Sequence, residues 1–266
     1  MRSKWFAIQA LADVAEISIF DEIGGWGIQL PEFKEAFDLV KDKKAITVYI
    51  NSPGGDVTTG MALYNLLAQV RDKLTIEVIG IAASIASVVA LAGKSLPVMD
   101  EGTYYMIHNP WSVAWGDADE FRKTADVLDK MGGQLINIYA SRSGLSAEEI
   151  EKMMDEETWL TADEAVEKGF ASHVHRTAKA AALATFDLGK IGFKHTPKAL
   201  APANKAIEIQ TIRDYERFLR DAGFSRTEAE ALASNGYKAI RRETGKPEPD
   251  VDSIVTAMKA AAQSLR

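Results

Sequence analysis

The stretch Val78-Ile-Gly-Ile-Ala-Ala-Ser84-Ile-Ala-Ser87-Val-Val-Ala-Leu-Ala-Gly93 decides the fold. Its first residues read as a buried strand and its alanine-rich remainder as a buried helix, a single β–α step. The small side chains allow close packing on neighbouring elements. The run is shorter than the ~20 apolar residues of a membrane span and carries two serines, so no span is expected. A hydroxyl in such surroundings costs free energy unless it has a partner. The next apolar run, Tyr104-Tyr-Met-Ile107, ends on a candidate partner, His108, one of only 4 histidines in the chain.

Upstream, Ile46-Thr-Val-Tyr-Ile-Asn51 is a β-branched run that stops at Ser52-Pro-Gly-Gly55-Asp56 and leads into a helical pattern. Two glycines at a strand-to-helix junction let backbone N–H groups approach a substrate with no Cβ in the way. Fixed donors of that kind are what a developing oxyanion requires. Downstream, Asp155-Glu-Glu157-Thr-Trp159 supplies carboxylates for an orienting role beside a histidine. Each residue also has an ordinary reading. Serines among alanines pack helices, Pro-Gly-Gly makes turns, and acidic runs are solvated helix ends. Ser87, three residues beyond Ser84, is assigned to packing alone.

Taken together, Asn51-Ser-Pro-Gly-Gly55, Ala82-Ala-Ser84-Ile-Ala86, Met106-Ile-His108-Asn-Pro110 and Glu157-Thr-Trp-Leu-Thr-Ala162 resemble the proteolytic subunit of the Clp protease, in that family's order and at about its spacings. The resemblance covers about residues 14 to 176. Asp21-Glu-Ile-Gly-Gly-Trp-Gly27, Asn109-Pro-Trp111 and Gly116-Asp-Ala-Asp119 are most similar to its phage-encoded head-maturation branch. The resemblance implies Ser84 as nucleophile, His108 as general base, and the N–H groups of Gly55 and Ile85 as the oxyanion hole. The third member in the family is an aspartate, and the aligned position here holds Glu157, one methylene longer, with Asp155 as the nearby substitute. No metal or organic cofactor is implied. The implied partners are protein or peptide substrates, scaffold and capsid proteins among them, and further copies of the chain in heptameric rings. One alternative is a degradative subunit served by an ATP-driven unfoldase. Others are a crotonase-like acyl-CoA enzyme, sharing the fold and a backbone oxyanion hole, and a catalytically inactive assembly protein.

Composition agrees with a globular enzyme: 266 residues, 47% hydrophobic and 26% charged. The net charge of -7 argues against nucleic acid as a general partner. The absence of cysteine suits a reducing cytoplasm, and Met1-Arg-Ser-Lys-Trp5 lacks the apolar core of a secretory signal.

Strand and helix patterns alternate: strands at 14–20, 45–50, 74–79, 96–99 and 103–107, and helices from Pro31, at 57–71, 84–93 and 117–143. Ser146-Ala-Glu-Glu149 and Thr161-Ala-Asp-Glu164 mark two further helix starts as capping boxes. The expected fold is α/β, with stacked sheets of the Clp/crotonase type built from ββα units, followed by a helical C-terminal tail. The expected domains are a protease at 1–176, an Ala-, Lys- and Pro-rich linker at 177–206 and a helical tail at 207–266. Helices are expected near 207–219, 225–242 and 252–264, with Phe218, Leu219, Phe224 and Leu232 as an apolar face. The tail reads either as a solvated helical appendage or as a docking or scaffold-like segment.

Overall fold

A computed structural model describes residues 6–24, 30–176, 188–197, 199–200, 212–221 and 226–235. The chain divides into two compact units, Met1–Leu200 and Ala201–Arg266.

The first unit is built on one sheet with strands β1 (Phe6–Ala10), β2 (Val14–Phe20), β3 (Ala45–Ser52), β4 (Leu74–Ala83), β5 (Val98–Asp100), β6 (Tyr104–Ile107), β7 (Thr158–Thr161) and β8 (His173–His175). Its path runs β1-β2-β3-β4-β5-β8, with β6 pairing β4 and β7 off that path. The pairs β2–β3 and β3–β4 are parallel, with helices α1 (Leu30–Asp38) and α2 (Val57–Ala68) in the crossovers. The short strands β1 and β8 carry too little alternation to be read from sequence. They are held by pairing, β1 antiparallel to β2 and β8 parallel to β5.

The two branches of the sheet share β4. Its lower half pairs β5 at Glu77↔Val98 and its upper half pairs β6 at Ala83↔Met106. Asn51 adjusts the register where β3 meets the upper half of β4. The ladder shifts between Ile50 and Ser52, and Asn51 Oδ1 accepts the Ile81 N–H at 3.1 Å in place of a backbone carbonyl. Gly80 leaves room for that amide, since a Cβ there would lie 2.3 Å from Asn51 Oδ1.

Beyond β4 come α3 (Ile85–Val89), α4 (Ala118–Ser143), α5 (Ala147–Asp155) and α6 (Ala162–Glu167). Local chemistry sets their ends. Asp117 caps α4 by accepting the N–H groups of Asp119 and Glu120, and Gly144 ends it in the left-handed conformation at φ 81. Ser146 with Glu149, and Thr161 with Glu164, form complete capping boxes. The core lies between the sheet and these helices, with Phe33, Phe37, Tyr105, Tyr139 and Phe170 among its largest fully buried side chains.

Residues 188–197 lie within the linker expected at 177–206, yet they belong to the first unit. The one-turn helix α7 (Leu188–Ile191) buries Leu188 in a small cluster with Ile81, Ala83 and Met106.

In the second unit, α8 (Ile212–Asp221) and α9 (Arg226–Asn235) pack against each other, with Leu219 and Ala229 buried. The helix expected at 252–264, Phe224, and the side chains of Phe218 and Leu232 lie outside the described residues. Among the described residues, no helix is long and apolar enough to cross a membrane.

Candidate active site

Register brings the four motifs to one edge of the sheet. Strands β4 and β6 run parallel with Ala83 opposite Met106, so Ser84 and His108 leave the sheet side by side at its carboxyl end. Strand β3 ends at the same edge, with Ser52 opposite Ala82, which places Gly54 and Gly55 there. Strand β7 runs antiparallel to β6 with Thr158 opposite Ile107, so Glu157 arrives at that edge from the other direction. The crevice at strand carboxyl ends is where open α/β sheets place their ligands.

Ser84 Oγ lies 2.8 Å from His108 Nε2. The serine is not helical; its backbone sits at φ 54, ψ -132, the strained step between β4 and α3. A non-glycine residue in that region costs on the order of 1–3 kcal/mol and persists only where its surroundings fix it. Here the fixing bonds are visible. The Ser84 N–H donates to the Met106 carbonyl at 3.0 Å, and the Ser84 carbonyl accepts the Ser87 N–H at 3.0 Å.

Ser87, expected only to pack, also donates its hydroxyl to the Ser84 carbonyl at 2.5 Å. Its oxygen lies 2.7 Å from the Tyr139 hydroxyl, and its own carbonyl accepts from Tyr105. Ser87 is fully buried, so this hydroxyl cluster satisfies groups that would otherwise be orphaned and props the Ser84 backbone from behind. The Ser87→Ala variant leaves the Tyr139 hydroxyl without its short partner. Urea unfolding of that variant is expected to show a loss of about 1–3 kcal/mol, the cost of one unsatisfied buried polar group.

The Gly54–Gly55 loop is held at both sides. Ile23 N–H donates to the Gly54 carbonyl at 2.6 Å and Asp56 N–H to the Ile23 carbonyl at 2.8 Å. The buried Ser52 hydroxyl donates to the Asp21 carbonyl at 2.6 Å and accepts the Gly54 N–H at 3.2 Å. Both glycines adopt positive φ, 99 and 141. A Cβ on Gly54 would lie 2.6 Å from the Ser84 Cβ, and one on Gly55 2.1 Å from the Ile23 carbonyl oxygen. Asp56 then caps α2 by accepting the Thr59 N–H at 2.7 Å. The N–H groups of Gly55 and Ile85 donate to no acceptor among the described residues. Helix α2, which follows Gly55 after its Asp56 cap, and α3, which opens at Ile85, meet closely at Gly60, where a Cβ would lie 2.2 Å from Ile85 Cγ1.

Glu157 is 7% exposed and its backbone is left-handed, at φ 49. Its carboxylate makes no hydrogen bond to His108. Instead it accepts the His195 N–H at 2.7 Å, the Lys194 N–H at 2.9 Å and the Trp159 indole N–H at 3.3 Å. Burial pushes this carboxyl up, but the two backbone donors, the indole and His108 outweigh it, so it stays below the usual range and ionised. Asp155, the alternative acid, accepts the Asn109 side-chain amide at 2.6 Å. The carboxylate thus faces main-chain donors rather than the imidazole, and acts on His108 through its charge. Burial holds the imidazole below its ordinary value; the Glu157 charge opposes that and Lys194 adds to it. His108 is therefore neutral near pH 7, as a proton acceptor must be.

The contribution of residues 192–195 was not legible. Phe193 meets the His108 ring edge-on with centroids 5.5 Å apart, and Trp159 at 5.4 Å. The only signal in the sequence is a phenylalanine in a stretch otherwise rich in Ala and Lys. A cavity of about 380 Å³ opens beside Gly55, walled by Val57, Pro110, Trp111, Leu128 and Met131. A second, about 450 Å³, borders His108, Asp155, Glu157 and Lys194.

A serine hydroxyl against an imidazole, with two main-chain N–H groups that meet no acceptor among the described residues at the same sheet edge, has the composition of an acyl-transfer site. The model of the Clp protease family matches residues 35–178 of this chain, and the chain belongs to that family of serine-type peptidases. Among curated relatives, the ATP-dependent Clp protease proteolytic subunit 2 of Tropheryma whipplei (strain Twist) is 35% identical over 133 residues, spanning 50% of this chain and 74% of the relative.

Proposed function

We propose that this protein is a serine endopeptidase in which Ser84 is the nucleophile and His108 the general base. The observation that carries the reading is the 2.8 Å contact between His108 Nε2 and Ser84 Oγ. Ser84 Oγ attacks the peptide carbonyl while its proton passes to His108 Nε2. The N–H groups of Gly55 and Ile85 receive the developing oxyanion, and His108 returns the proton to the departing amine. Water, deprotonated by the same nitrogen, then releases the acyl group and regenerates Ser84. Glu157 stabilises the transient imidazolium by its charge. The apolar cavity beside Gly55 is placed to take a substrate side chain next to the scissile bond. A thioester-enolate reaction of the crotonase type has no use for a serine bonded to a histidine. The test is intact-mass analysis after treatment with a fluorophosphonate: one adduct on Ser84, absent in Ser84→Ala, supports the reading.

The rate of that labelling has a defined pH dependence. The base works only when neutral, so the rate rises with pH through the His108 ionisation, and burial sets the midpoint below the ~6.5 of a free imidazole. Glu157→Gln removes a charge that raises the midpoint, so the limb moves to lower pH. Lys194→Met removes one that lowers it, so the limb moves to higher pH. Opposite displacements would contradict these charge assignments.

The family's members act on proteins as oligomeric rings, and exposed Trp111, Val113, Trp115 and Phe121 offer an apolar surface that a second copy would cover. As substrates we propose scaffold and capsid proteins during phage head maturation. Support comes from Asn109-Pro-Trp111, from Asp21–Gly27 (of which 25–27 lie outside the described residues) and from the helical second unit. Co-expression with phage scaffold and capsid proteins is expected to yield shortened chains with the wild type and not with Ser84→Ala. The second reading, a degradative subunit, predicts instead breakdown of a folded protein only with ATP and an unfoldase.

A further inference from the structure

We propose that residues 188–195, which lie beyond the stretch shared with the Clp family, form a clamp that completes the catalytic apparatus by fixing the Glu157 carboxylate and walling the His108 ring. This rests on the serine-peptidase reading above. The family match ends at residue 178. The anchor is α7, whose Leu188 is 2% exposed against Ile81, Ala83 and Met106, the strand residues just before Ser84 and His108.

From that anchor the chain turns at Gly192 and lays Phe193 against both His108 and Trp159. The next two residues present consecutive N–H groups to the two oxygens of Glu157, Lys194 to Oε2 and His195 to Oε1. Successive main-chain donors converging on one anion make a fixed site of positive potential. The His195 ring, 2.9 Å from the Glu156 carbonyl through Nδ1, ties the donors to the acidic segment itself.

The physical need for the clamp follows from the acid. A nearly buried carboxylate requires partners. Without these two N–H groups, the Glu157 carboxylate would keep, among the described residues, only the long 3.3 Å hydrogen bond from Trp159. A glutamate has one more rotatable bond than an aspartate, and the single long indole contact is a weak restraint on it. The clamp restrains that bond and keeps the charge beside His108, so Glu157 and residues 193–195 act as a pair. Phe193, Lys194 and His195 are positioning residues, acting through His108 and Glu157.

The test is a double-mutant cycle in the full-length protein, read as the rate of fluorophosphonate labelling of Ser84. His195→Pro deletes the shorter of the two donors, and His195→Ala keeps it. His195→Pro is expected to slow labelling by about tenfold to a hundredfold, the range of a lost hydrogen bond to a charge, with a smaller loss in His195→Ala. In a Glu157→Gln background the same proline is expected to have little further effect, because the charge it served is gone. A purely structural role would give equal losses in both backgrounds. Phe193→Leu, which keeps bulk and main chain but removes the ring edge, provides a second route should the proline variant fail to fold; slower labelling is expected there too.

Unchanged labelling in His195→Pro, or equal loss in both backgrounds, overturns the clamp. Faster labelling in either variant also overturns it, marking the segment as an inhibitory strap. Absence of any Ser84 adduct in the wild type overturns the peptidase reading itself, a result distinct from these.

Discussion

Ser84→Ala and His108→Ala are each expected to lower peptide hydrolysis by about 10⁴-fold or more, because members of such a catalytic unit act together and losing one loses the mechanism. The fold is expected to survive. Among the described residues the Ser84 side chain hydrogen-bonds only to His108, and the bonds that hold its strained backbone come from main-chain atoms, Ser87 and Tyr139. Alanine keeps the same Cβ at the same φ, so no new strain enters. His108→Ala also gives up the edge contact with Phe193, an aromatic pair worth about 1 kcal/mol. Its melting temperature should therefore fall by roughly 2–4 °C while that of Ser84→Ala stays close to the wild type. Residual hydrolysis in Ser84→Ala near the wild-type rate, with folding intact by circular dichroism, would remove Ser84 from the reaction.

Gly55→Ala is the second large effect. The position has φ 141, and the new Cβ would fall 2.1 Å from the Ile23 carbonyl oxygen and 2.8 Å from its nitrogen. These are main-chain atoms already bonded to Gly54 and Asp56, so the loop must move instead. Movement carries the Gly55 N–H away from the oxyanion, and loss of one such donor typically costs about a hundredfold to a thousandfold in kcat. Stability falls as well, since the Ile23 bridge opens. Gly102→Ala separates the two contributions: φ there is 81, but nothing lies within 4 Å of the added Cβ. That variant is expected to lose about 1 kcal/mol from strain alone and to keep its kcat. Equal kcat in Gly55→Ala and the wild type would exclude this N–H from the oxyanion hole.

Legibility followed the range of the forces involved. The capping boxes at Ser146 and Thr161, the Asp117 cap and the Gly144 terminus are contacts within one helical turn, and four consecutive residues suffice to read them. Strands β2, β3 and β4 are buried runs long enough to show their character, whereas β1 and β8 are short and exist through their partners. Ser87 illustrates the opposite limit. In sequence it is one more small residue in an apolar helix; its partner Tyr139 lies 52 residues away on α4. Glu157 is intermediate. The resemblance of Glu157-Thr-Trp-Leu-Thr-Ala162 to the Clp family pointed to Glu157, but the direction of its carboxylate depended on Lys194 and His195, 37 and 38 residues further on in a weakly patterned stretch.

By itself, then, the sequence determined the α/β class, the two ends of α4, the starts of α5 and α6, and which serine, histidine and glycines stand at the ends of strands, because periodicity, caps and strand ends are local properties of the chain. Helices α2 and α3 stop at Ala68 and Val89, short of the expected 71 and 93. Only the tertiary structure decided that those strand ends share one edge, through the register of β4 with β3 and β6 and of β6 with β7. It also decided what the acid touches. A side chain with three rotatable bonds takes its direction from the donors that burial leaves near it, and those donors come from a segment that only the packing of Leu188 brings home.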